Sequence, residues 1–159
     1  MRPGRRPSSW VQDVARRHVL VAPARAAFPT LKYKRVQGRR GISYVFHAVV
    51  PVPGYEARPV RIEFQRALPT FPHVWAGGPI ESPHRYRHEH DRSLCLWYPD
   101  DSADRRWQPD DGLLELLGMI EAHLFKEAYW RETGEWLGDE GPHGEPIVRM
   151  ETSFGRNVA

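Results

Sequence analysis

One cysteine, Cys95, stands among 159 residues. Its solitude excludes an intrachain disulfide and a zinc site built from several thiolates. No stretch approaches the roughly 18 consecutive apolar residues of a membrane span, so no membrane partner is expected. The opening MRPGRRPSSW is basic without an apolar segment behind it, which reads as no secretory signal and a cytoplasmic address. There a lone thiol stays reduced. Internal repeats and a second-domain boundary are both absent. The length suits one domain over residues 1–159, with 1–7 as a basic tail and 145–159 as a flexible one.

Charge is present but unevenly placed. Residues 1–94 carry 17 Lys/Arg against 6 Asp/Glu, a balance of +11, whereas residues 95–145 carry 4 against 13, a balance of −9. No helix-turn-helix, zinc-finger or ribonucleoprotein pattern accompanies the basic half, so nucleic acid is not the expected partner. A charge dipole that docks protein partners accounts for the same numbers.

The patterning predicts an α+β fold with helices against one sheet. Ser9 and Gln12 have capping-box spacing ahead of a helix over residues 9–22. Val11, Val14, Ala15, His18 and Ala22 share one face of it, and Pro23 ends it. Three strands follow: Leu31 to Val36, Ile42 to Val50 after the GRRG turn at residues 38–41, and a third in which Val60, Ile62 and Phe64 alternate with Arg61, Glu63 and Gln65. Pro51, Pro53 and Gly54 break the second strand. Consecutive strands joined by turns make an antiparallel meander, with Ile42, Tyr44, Phe46, Val60, Ile62 and Phe64 as its buried face. Residues 68–84, with four prolines, read as extended and irregular. Asp110 and Asp111 cap a second helix with the apolar stripe Leu113, Leu116, Leu117, Ile120 and Leu124. It runs to about Arg131, with Gly134 as its stop.

HRYRHEHDRSLCLWYPDD, residues 84–101, concentrates the chemistry. Flanked by Leu94, Leu96 and Trp97, Cys95 reads as a core cysteine or as a nucleophile whose thiolate His88, His90 and Arg92 would favour. His84, His88 and His90 give H-x3-H-x-H, in which the H-x-H element can place two imidazoles on one face. That resembles the JAMM-type zinc isopeptidases. Their pattern continues with Ser and Asp, where this chain has Tyr98 and Asp101, and their upstream glutamate has only Glu63 as a counterpart.

Taken with "RRWQPDDGLLELLGMIEAHL" and "TGEWLGDEGPHG", the stretch "SLCLWYPDD" resembles the prokaryotic branch of the ubiquitin-conjugating enzyme family. The likeness covers roughly residues 8–144: a polar His-containing segment, Leu94-Cys95-Leu96, then Trp107-Gln108-Pro109 opening a long helix. It implies a ubiquitin-conjugating-like catalytic domain with an N-terminal helix, an antiparallel meander, an active-site cysteine loop and a C-terminal helix. Cys95 would carry the C-terminus of a ubiquitin-like modifier, or of a target protein, as a thioester delivered by a ubiquitin-activating-type enzyme. A lysine amine would then receive it.

Eukaryotic members have His-Pro-Asn upstream of the cysteine; this chain reads Arg87-His88-Glu89-His90, so His88 or His90 takes the oxyanion role. Asp100 and Asp101 are candidates to orient the amine, against the alternative of an Asx turn after Pro99. His84 reads as structural, Trp107 and Pro109 as loop packing, and Trp130 and Trp136 as packing aromatics. No physical task is evident for Thr133-Gly134-Glu135-Trp136. The basic first helix is where the family meets its activating enzyme. Relatives occur in anti-phage and ubiquitination-like operons, where some modify a nucleotidyltransferase-like cyclic-oligonucleotide synthase. No cofactor and no metal are expected. A non-catalytic binding module of the same fold is the further alternative.

Overall fold

The computed structural model describes residues 9–86, 91–98 and 100–138; both expected tails, 1–7 and 145–159, lie outside that range. The order is α1 (Val14–Ala27), β1 (Lys32–Gly38), β2 (Gly41–Val52), β3 (Tyr55–Gln65), β4 (Leu68–Ala76) and α2 (Gly112–Thr133). The four strands form one antiparallel sheet in sequence order. No helix among the described residues is long and apolar enough to cross a membrane.

The meander is as expected, and one strand longer. Residues 68–76 form β4, although Pro69 and Pro72 argued for an irregular path. The reason is position: β4 is an edge strand, where a missing N–H need not interrupt a ladder. β2 likewise continues through Pro51 to Val52, with a register shift between Val50 and Val52. Tyr33, Phe46, Ile62 and Val74 align across the sheet on the face that meets the helices. Tyr44, Phe46, Val60, Ile62 and Phe64 are buried, while Ile42, near the strand start, is only partly so.

The first helix begins and ends later than its sequence suggests. Among the described residues the Ser9 side chain caps nothing; its carbonyl accepts from Gln12 and Asp13, closing a separate turn. Asp13 is the true cap, its Oδ1 accepting from the amides of Ala15 and Arg16 at 3.0 and 3.2 Å. The helix then passes through Pro23 to Ala27. Pro23 is exposed, so the backbone bond it forfeits falls on the wet side, where helices tolerate curvature. The buried face is Leu20, Val21 and Ala24, not the expected stripe; Val14 is 70% exposed. Trp10 and Val11 enter the core from the preceding turn, Trp10 meeting Phe64 edge-on at 4.7 Å.

α2 follows its periodicity closely. Leu113, Leu116, Leu117, Ile120 and Leu124 are all fully buried, and each contributes about 1.5–3 kcal/mol relative to exposure. α2 lies against the sheet at β2, and α1 packs on α2. Asp111 acts one turn before the helix: its Oδ2 accepts from the Gln108 amide at 2.7 Å, a reciprocal cap on the short turn Pro109–Asp111. Gly134, at φ 78°, ends α2 as anticipated. Trp107 is buried against Phe64 at 5.4 Å and donates to Gly112 O at 2.8 Å, so it packs the approach loop as expected.

Candidate active site

Beyond β4 the chain is held by arginine donors rather than by a ladder. Arg58 Nε donates to Gly77 O, and its Nη2 donates to Pro79 O at 2.8 Å. Arg85 Nη2 reaches the same carbonyl at 3.3 Å, and Arg131 on α2 donates to Glu81 O at 3.1 Å. The segment then folds back on itself. Arg85 and Leu94 form an antiparallel bridge, Tyr86 N donates to Ser93 O at 3.0 Å, and Cys95 N donates to His84 O at 2.9 Å. Leu94 N donates to Val74 O at 2.8 Å and ties the pair to β4. Cys95 sits where this pairing gives out, half-buried.

A buried ion pair fixes the position of that pairing over α2. Arg85 Nε and Nη2 meet Glu127 Oε1 and Oε2 at 2.8 and 2.7 Å, with both side chains essentially out of solvent. His123 Nε2 and Arg131 Nη1 stand 3.3 and 3.5 Å from the same carboxylate. Burial alone would push Glu127 up, but the Arg85 hydrogen bonds, then His123, hold its pKa down at about 2. Past Gly134 the chain returns Trp136 onto the His84 ring, with centroids 3.9 Å apart. His123 lies 5.5 Å from the same indole. This supplies a task for the Thr133–Trp136 motif: Gly134 turns the chain so that Trp136 covers the strand leading to Cys95. His84 is thereby structural, as its sequence context indicated.

The cysteine thiol is held from two sides. Its sulfur accepts from the Tyr86 hydroxyl, and its own hydrogen faces Trp97 O, with Sγ at 3.8 Å. Burial pushes the thiol pKa up, the Tyr86 bond pulls against it, and the Asp101 charge adds to the rise. The Tyr86 hydroxyl is pushed well up by burial, then by Cys95 and Asp91. Cys95 therefore rests as a thiol, not as a standing thiolate.

Of the residues nominated from sequence, Cys95 and Asp101 are brought together. Asp101 Oδ2 accepts from the amide of Tyr98, three residues back, at 2.9 Å, and its own amide donates to Tyr98 O at 3.1 Å. This reciprocal turn differs from the Asx turn weighed as its alternative, in which the carboxylate accepts from an amide two residues on, and its charge still reaches Cys95. Asp100 is exposed. His88 and His90 lie outside the described residues. Glu63, the isopeptidase counterpart, points its carboxylate at Arg61, 2.5 Å away. Among the described residues no group of three His, Cys, Asp or Glu is gathered for a metal ion.

Sequence reading missed Tyr86 and Asp91. Asp91 Oδ1 accepts from Ser93 N at 2.8 Å. Burial works to raise its carboxyl, but the Ser93 hydroxyl and amide, His73 and the Trp75 indole together hold it below its ordinary range. A cavity of about 260 Å3 opens between β4 and this segment, walled by Phe71, Leu96 and Trp97 and edged by Tyr86 and Asp91. The only signal in the sequence was the two short runs 84–86 and 93–95 around the histidine loop, too brief to read as paired strands.

No curated protein and no solved structure matches this chain. One family does: that described as Type II CBASS E2 protein matches residues 24–144. The match takes in the whole sheet, the cysteine segment, α2 and the Trp136 return. The chain therefore belongs to the type II CBASS E2 protein family, an E2-like family of bacterial anti-phage systems.

Proposed function

We propose that this E2-like conjugating protein carries an acyl group as a thioester on Cys95 and passes it to a lysine amine. The observation that carries the reading is a partly exposed thiol, hydrogen-bonded by Tyr86, at the end of a strand pair clamped to α2, in a chain of this family. The acyl donor is the C-terminus of a ubiquitin-like modifier or of a nucleotidyltransferase-like target protein, activated by a ubiquitin-activating-type partner. The site works as one catalytic domain in the cytoplasm, where a single thiol is kept reduced.

Loading is thioester exchange. The Cys95 thiol gives up its proton as its sulfur bonds to the activated carbonyl carbon, the partner's C–S bond breaks, and the departing sulfur takes up a proton. A raised thiol pKa favours this direction, because the more basic thiolate is the poorer leaving group and keeps the acyl group. The same property protects the loaded protein from water. In transfer, the lysine nitrogen bonds to the carbonyl carbon, the C–S bond breaks with its electron pair on sulfur, and the amine's proton returns Cys95 to the thiol. The carbonyl oxygen gathers negative charge on the way, and His88 or His90 donates to it. Asp101, with Asp100 beside it, favours approach of the ammonium form and takes up the first of its protons, so that a neutral amine attacks; the second, lost from the attacking nitrogen, is the one that returns to sulfur.

The test is to mix the protein with activating partner, modifier and ATP and to follow a thiol-sensitive adduct on non-reducing gels. Cys95→Ala should abolish it, and Cys95→Ser should leave an oxyester that resists thiols. His88→Ala or His90→Ala should load normally and discharge to lysine ~10²–10³-fold more slowly, as loss of an oxyanion donor does. Unchanged single-turnover discharge in both histidine variants removes their role and leaves Cys95 alone.

A further inference from the structure

The cavity beside Cys95 is unassigned by the reaction above, and its chemistry is specific. Its walls are apolar, from Phe71, Pro72, Leu94, Leu96 and Trp97, and its polar edge is His73, Tyr86, Asp91 and Ser93. Asp91 carries the edge's carboxylate. The Ser93 amide donates to its Oδ1 at 2.8 Å, and His73, on the same edge, shares its field. Tyr86 connects the two sites: it lines the cavity while its hydroxyl touches the Cys95 sulfur.

A slot with apolar walls, a fixed negative charge and one hydrogen bond of separation from a nucleophilic sulfur suits an alkylammonium. From this we infer that the cavity binds the acceptor lysine, its methylenes against Phe71, Leu96 and Trp97 and its ammonium at Asp91, before the amine turns to the Cys95 thioester. The inference rests on the thioester reading and names the pocket for its second substrate. Asp91 is then a determinant of lysine binding, while Asp101 stays at the reacting end.

Two measurements separate this pocket from the reading beneath it. The first needs no acyl group: titrate the unloaded protein with Nα-acetyl-lysine methylamide and with the norleucine analogue, following the indole N–H signals of Trp75 and Trp97 by NMR. The lysine compound should shift them saturably, the uncharged analogue should bind about tenfold more weakly, and Asp91→Asn should erase the difference. The second acylates Cys95 directly with a glycylglycine thioester of a small mercaptan and measures discharge against lysine concentration. Asp91→Asn should raise the half-saturating lysine concentration by about tenfold, the equivalent of about 1.4 kcal/mol, with little change in maximal rate. Discharge to hydroxylamine, small and uncharged, should be unaltered. Leu96→Trp, which fills the slot and keeps Asp91, should weaken lysine in the same way, so the test does not hang on one variant's folding. Equal lysine saturation in wild type, Asp91→Asn and Leu96→Trp overturns the pocket while leaving the thioester intact. Lysine binding to a protein whose Cys95 cannot be acylated overturns the thioester reading and supports the pocket alone.

Discussion

Replacing Glu127 with glutamine keeps the shape of the residue that joins α2 to the cysteine segment and removes its charge. Arg85, 2% exposed at the side chain, then has no counter-ion among the described residues, and His123, Arg131 and Arg58 face the same neutral amide. Removing one partner of a buried pair costs about 3–5 kcal/mol. A second route gives a similar figure. The Glu127 pKa falls from 4.5 to about 2 on folding, and 2.5 units at 1.36 kcal/mol each is about 3 kcal/mol. Because the folded value is the lower one, this stability is present above pH 4.5 and is lost as pH falls from 4.5 towards 2. Glutamine does not titrate, so the gap between the two proteins should close over that window. Urea unfolding followed by tryptophan fluorescence at pH 7.5, 4 and 3 would measure it, with a melting-temperature drop of roughly 10 °C at pH 7.5. A loss under about 1 kcal/mol at pH 7.5, or the same loss at pH 3, would refute the reasoning. Cys95 alkylation should also quicken in the variant, since Arg85 holds the strand that pairs with Leu94.

Two further outcomes follow from the site and the fold. The pH midpoint for Cys95 alkylation by iodoacetamide should rise in Tyr86→Phe, which loses the hydrogen bond that favours the thiolate, and fall in Asp101→Asn, which loses the charge that opposes it; mass spectrometry of quenched samples reads both, and midpoints moving together would contradict the assignment. Asp13→Ala should cost about 1 kcal/mol in chemical denaturation, as loss of a helix cap does, whereas Ser9→Ala should cost almost nothing, because the buried Ser9 Oγ has no hydrogen-bond partner among the described residues.

Local signals carried the sequence reading wherever one segment's own chemistry decided its structure. α2 was legible because its apolar stripe, its proline-led entry and its glycine stop agree over 22 residues. The turn at Gly38 and Gly41 and the alternation of β3 fixed most of the meander in the same way. α1 was misplaced because two cap-competent residues, Ser9 and Asp13, precede it, and only packing of Trp10 and Val11 into the core shows which one acts. β4 was missed because prolines are judged by local propensity, whereas their cost depends on whether a strand lies at an edge.

The cysteine and its order among neighbouring motifs were determined by sequence alone, since covalent identity and spacing are local properties. The surroundings of that cysteine were not. Arg85 meets Glu127 across 42 residues of chain, Trp136 returns to His84 from beyond α2, and Asp91 reaches the Trp75 indole from another element. Such contacts exist only when helix, sheet edge and cysteine segment are packed together. The packing settles which carboxylate is buried against a cation, which hydroxyl lies beside the sulfur, and where a cavity opens along β4, because burial and distance belong to the folded chain.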